Sequence, residues 1–142
     1  MQPIEGPGGP MIDASLLSWK GNVERIGKFF GALSPEQLQQ EIAPGRNRLI
    51  YVWGHIAAAN DGLFPLLGLG PRLYPEMEAM FSTNPDRVLT AIYSAQELKE
   101  AWNSIDEKLL AGFSAWSPEA WLARHTAVSE EEFRREPHRN FL

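Results

Sequence analysis

Three runs of large apolar residues recur at alternating intervals of three and four, and this regularity decides the fold class. Leu16, Trp19, Val23, Ile26, Phe30 and Leu33 make the first run. Leu49, Val52, Ile56, Ala59, Leu63 and Leu66 make the second, and Leu98, Trp102, Ile105, Leu109 and Phe113 the third. A helix turns once every 3.6 residues, so each run is a single apolar stripe along one helix. Gly21, Gly27 and Gly31 interrupt the first helix, each weakening it by about 1 kcal/mol relative to Ala. That helix must be packed against partners to hold. The punctuation agrees with the stripes. Ser34-Pro35-Glu36 reads as a cap followed by Pro at the first position of a new turn. Pro44-Gly45 marks a loop, Asn47 is a candidate N-cap for the second helix, and Pro65 should kink or close it. Ser94 with Glu97 three residues on forms a capping box for the third. Residues 68–93 read as a long crossover, with a short helix over 75–81 and a turn at Asn84-Pro85-Asp86. No segment reads as a strand meander, so the sequence predicts an all-α bundle.

The chain also repeats itself. Residues 30–38 read FGALSPEQL and residues 113–121 read FSAWSPEAW, an offset of 83. The same offset places Trp19 on Trp102, Glu24 on Glu107 and Ile26 on Leu109. Further on, PGRNRL at 44–49 resembles PHRNFL at 137–142, now at an offset of 93. Reuse of Ser-Pro-Glu at helix ends explains the capping match alone, but not the shared register. The expected architecture is two helix-pair halves joined by the crossover, a bundle with one long connection. In it PHRNFL opens a fourth helix that this chain mostly lacks. Three helices alone would expose more apolar surface than soluble monomers tolerate, so further chain or a second copy is expected to cover it.

Length and composition narrow the functions. At 142 residues the chain is expected to hold one domain over 11–142, preceded by a Gly- and Pro-rich, disordered lead-in over 1–10. Thirteen Lys and Arg stand against eighteen Asp and Glu, a net charge of −5. The basic residues are scattered, so no footprint for a nucleic-acid backbone or an anionic membrane exists. The absence of cysteine excludes disulfides, a thiol nucleophile, Cys-ligated zinc and iron–sulfur clusters. The N-terminus has no secretory pattern, and no apolar run reaches the ~20 residues that span a bilayer. A cytoplasmic location fits. No nucleophile elbow, phosphate loop or dinucleotide fingerprint is present.

The stretch PGRNRLIYVWGHIA opening the second helix, the GLFPLLGLG exit from it and the EEFRREPHRNFL segment near the end together resemble the DinB-like (DinB/YfiT) superfamily of four-helix bundles. The resemblance covers most of residues 11–142. It implies a bacterial metalloenzyme holding a divalent metal, nickel, zinc or iron, on three histidines. One comes from the second helix and two from the fourth. His55 stands at the place of the first; the other two positions would lie beyond Leu142, so metal binding is expected of a longer protein rather than of this chain as given. Characterised relatives include thiol-dependent S-transferases and a maleylpyruvate isomerase.

Two readings of His55 stand side by side. It is either a buried histidine satisfied by a hydrogen bond or one arm of a metal site, since neutral imidazole is a common ligand whose other nitrogen is oriented by a carbonyl or carboxylate. His125 and His138 lack the spacing of a rigid helical pair and are not expected to complete a site with it. Asp61 is expected on the helix surface, with a supporting or ligating role as the alternative. Glu97, Glu100 and Glu107 lack the Glu-x-x-His pairs of a carboxylate dimetal bundle, and Glu130 to Glu132 read as a solvated helix start. Trp53 is expected to pack, or to line a pocket mouth. The expected function is a metal-dependent hydrolase or thiol S-transferase acting on a small molecule. The alternative is a non-catalytic bundle, dimerising or stress-linked, without metal.

Overall fold

The structure, a computed structural model, describes residues 4–6 and 8–142. Gly8, at φ 81°, turns the chain into α1 (Gly9–Gly31), and Pro10 supplies a first-turn residue already set for a helix. Part of the lead-in expected to be disordered therefore belongs to the bundle. Gly9 and Pro10 are helical, and the Ile4 N–H donates to Asp13 at 3.0 Å. The rest of that expectation falls on residues 1–3 and 7, which lie outside the described residues. Ser34 caps α2 (Pro35–Leu38). After a loop come α3 (Leu49–Asp61) and α4 (Leu63–Leu66). The crossover carries α5 (Glu76–Glu78), which widens into a π-helical turn at Ala79–Thr83. The Ser94–Glu97 capping box opens α6 (Ala95–Ser114) as the sequence predicts. Ser117 caps α7 (Pro118–Trp121) and Ser129 caps α8 (Glu130–Arg135), whose acidic first turn and basic last turn both suit the helix dipole. Among the described residues no strand forms, and the chain is an all-helical bundle.

α6 lies between α1 and α3 and packs on both. Its apolar stripe, Leu98, Trp102, Ile105, Leu109 and Phe113, is enclosed along its whole length. Each such side chain contributes roughly 1.5–3 kcal/mol by leaving water. Phe30 of α1 stacks on Trp53 of α3, ring centroids 5.5 Å apart and planes within 5°. α3 departs from its expected stripe. Leu49, Val52, Ile56 and Leu63 are only half-buried, whereas Ile50, Trp53, Gly54, Ala57, Ala58, Asp61 and Phe64 are inside. α3 is covered on two sides, by α6 and by the crossover, and the small residues 54, 57 and 58 let both approach. Periodicity of large side chains does not register a face built from small ones.

The internal repeat is structural. α1 and α6 end in the same backbone conformation, Ala32 at φ −88°, ψ −11° and Ala115 at φ −88°, ψ −12°, each followed by a Ser-Pro turn. A lone bridge follows each turn, Glu41 with Arg48 and Arg124 with Asn140. Residues 137–142, expected to open a helix, instead form a turn and the second bridge. There Phe141 packs on Trp116 and His125, centroids 5.0 and 5.7 Å away.

Candidate functional site

The crossover runs back along one flank of α3, joined to it by polar contacts at positions 48, 51, 55, 58 and 61. These are spaced three or four apart, so they stand one above another on the helix. At the bottom, Arg48 grips Asp86. Its Nη2 is 2.6 Å from Oδ1, its Nε 3.1 Å from both oxygens, and its backbone N–H donates to Oδ2 at 2.8 Å. Arg48 thus occupies the N-cap position, one residue past the expected Asn47, and makes no side-chain cap bond, because a guanidinium carries donors alone. Burial pushes the Asp86 carboxyl up, but the Arg48 guanidinium and N–H outweigh it and hold the group below its ordinary value. One turn up, the Tyr51 hydroxyl donates to the Asn84 carbonyl at 2.7 Å. Its ionisation is pushed upward by burial and by the Asp86 charge.

His55 is the next rung. Its Nδ1 lies 2.8 Å from the Phe81 carbonyl, inside the π-helical turn. A carbonyl oxygen only accepts, so Nδ1 carries a proton, and in the neutral imidazole the lone pair is on Nε2. His55 is exposed, contrary to the reading as a buried histidine, yet it is satisfied at one nitrogen as that reading requires. Gly54 makes this possible. A Cβ there would fall 2.3–2.5 Å from the Phe81 ring, which is fully enclosed.

Above His55, Arg72 donates to the Ala58 carbonyl at 3.0 Å and pairs with Glu78 at 2.7 Å. At the top, Asp61 accepts the backbone N–H groups of Leu73 at 2.8 Å and Tyr74 at 3.2 Å. Asp61 was expected at the surface. It is wholly buried, because the crossover's first peptide groups have no other acceptor there and the carboxylate supplies two.

The other candidates lie elsewhere. His125 uses Nδ1 to accept the Ala127 N–H at 3.1 Å, and His138 is exposed in the turn after α8. Glu97 caps α6, and Glu100 accepts from Gln96 at 2.7 Å. Trp53 is core, 1% exposed, as its packing reading expects, and it forms part of the wall of a small cavity beside Phe30 and Leu38, away from His55. Among the described residues no three His, Asp or Glu side chains converge on a point that could hold a metal ion. Among the described residues His55 alone is arranged like a ligand, an exposed ring with one nitrogen held by a carbonyl. A single imidazole is not a metal site, so no chemical step is assigned to a metal here.

A helical bundle with a single long crossover, pinned to its second long helix and presenting one free imidazole there, is the class of protein that fold and site define. The family model of the DinB superfamily matches residues 20–141, and the chain belongs to that superfamily. No curated protein matches it significantly. Among the described residues no helix is long and apolar enough to cross a membrane.

Proposed function

We propose that His55 supplies one ligand of a divalent-metal centre, of nickel, zinc or iron, and that the protein is a metal-dependent hydrolase or thiol S-transferase acting on a small molecule. The observation that carries this reading is the imidazole itself. Its Nδ1 proton is held by the Phe81 carbonyl and the ring is exposed, so the neutral imidazole has Nε2 for a ligand atom, the arrangement in which histidine binds metal. The further donors must come from groups that the described residues do not bring to His55. What this chain does on its own is orient the ring and fix its tautomer.

A second reading has its own support. The ladder explains His55 without any metal, as one of several pins on the crossover. The half-buried Val52, Ile56 and Leu63 on α3 fit a surface covered by a second copy. In that reading the bundle is a non-catalytic, dimerising module. Calorimetric titration of the natural full-length protein with nickel and zinc separates the two. The metal reading expects saturable binding that His55→Gln abolishes while the melting temperature holds within a few degrees. Absence of saturable binding to the unaltered protein would leave the second reading standing.

A further inference from the structure

α1 and α6 run antiparallel, with Trp19 against Phe113 at 5.1 Å between centroids and Gly27 against Trp102. Between them lies an open groove of about 570 Å³. Trp19, Val23, Trp102 and Leu110 line it, and Gly27 admits the Trp102 indole edge. A Cβ at position 27 would sit 2.8 Å from Trp102 Nε1. The antiparallel register brings Lys28 and Lys99 to one end. Neither lysine forms an ion pair among the described residues, whereas Lys20 is paired with Glu24 at 3.9 Å. Seven residues along α6 from Lys99 stands Asp106, a separation of about 10 Å at 1.5 Å per residue. The groove is therefore apolar along its floor and cationic at one end, on the α1–α6 seam rather than on the α3 flank that carries His55.

We propose that this groove binds a small amphipathic carboxylate, its anionic head between Lys28 and Lys99 and its apolar body over Trp102, Val23 and Trp19. The lining matches a ligand site in kind, apolar surface with a few placed polar groups, and it has no bearing on whether His55 binds metal. Asp106 stands along the groove, one turn past Trp102 on α6 and short of Leu110. Burial pushes its carboxyl up to about 7, opposed only by a hydrogen bond from Asn60 of α3 at 3.5 Å. The other charged groups lining the groove are Lys20, Glu24 and Lys28 on α1 and Lys99 and Glu107 on α6. Asn60, its partner on α3, is uncharged. As pH falls through 7, Asp106 becomes neutral and the groove gains positive character, so the site holds an anion more tightly at pH 6 than at pH 8.

Tryptophan fluorescence and calorimetry of the full chain, titrated with octanoate, octanol and octylammonium, test this. Octanoate, ionised at both pH values, should bind best, roughly tenfold tighter than octylammonium. The double variant K28Q/K99Q should lose that preference while keeping its octanol affinity and its melting temperature. D106N should remove the pH dependence of octanoate binding. Equal or tighter binding of octylammonium overturns the proposal, as does octanoate binding that is indifferent to both lysines. So does absence of octanoate binding, including the case in which a second copy of the chain covers the groove.

Discussion

Replacing Gly54 with Ala adds a single methyl group at the tightest point between α3 and the crossover. The new Cβ would lie 2.3–2.5 Å from three carbons of the Phe81 ring, well inside van der Waals contact. Phe81 is 0% exposed and boxed in by Tyr51 and Tyr93, at 6.0 and 6.4 Å between centroids, so the ring has no free direction in which to yield. Overpacking of an enclosed site costs about 3 kcal/mol at the upper end of its usual range. The better helix propensity of Ala returns about 1 kcal/mol. The net loss is about 2 kcal/mol, or a fall of about 6 °C in Tm for a domain of this size. Thermal melts followed by circular dichroism at 222 nm would measure it. Gly21→Ala is the matched control. No atom stands within 4 Å of its Cβ, so the same change there should raise stability by up to about 1 kcal/mol. A Gly54→Ala protein as stable as the parent would refute the claim that close packing against Phe81 sets the position of the crossover.

The two ends of the polar ladder give separate tests. Asp61→Ala strands the Leu73 and Tyr74 N–H groups and should cost about 3 kcal/mol in chemical denaturation. Asp61→Asn, which keeps one acceptor, should cost about half as much. Asp86→Ala leaves the Arg48 guanidinium without its partner and should cost about 3 kcal/mol at neutral pH. Because the folded-state pKa of Asp86 is depressed, its contribution is fully present above the unfolded value of about 3.9 and is lost as pH falls through the lower folded value. The gap between parent and Asp86→Ala should therefore narrow in acid; a gap that stays constant down to pH 2 would rule out the ion pair as its source.

What could be read from the sequence follows the size and range of the interactions. The α6 stripe was legible because Leu98, Trp102, Ile105, Leu109 and Phe113 are large and face one core. The α6 capping box was legible because Ser94 and Glu97 meet within three residues. The inner face of α3 was not, since Gly54, Ala57 and Ala58 carry little hydrophobic signal and bury it by letting neighbours close in. The ladder joins residues 12 to 38 positions apart, through backbone carbonyls and N–H groups that have no identity in a sequence. One trace of it was present. Arg48, Tyr51 and His55 form a polar stripe at the same three-and-four spacing as the apolar stripe beside it, and Asp61 continues that face two steps on, past Ala58. His55 stands among apolar neighbours that read as burial, and the Phe81 carbonyl that holds its Nδ1 is 26 residues away and carries no signal in the sequence.

The ladder also has a kinetic consequence. From Arg48 to His55 its contacts pair rising positions on α3 with falling positions on the crossover, Asp86, Asn84 and Phe81, and at the top Ala58 and Asp61 hold Arg72, Leu73 and Tyr74. Losing one pin leaves the crossover tethered on both sides of it, so little backbone is freed and little entropy recovered. Lifting the crossover away therefore requires several pins to release together. Amide protons from Leu73 to Arg87 should exchange with solvent as one cooperative unit, at a common opening free energy, rather than fraying from either end as loops of this length usually do.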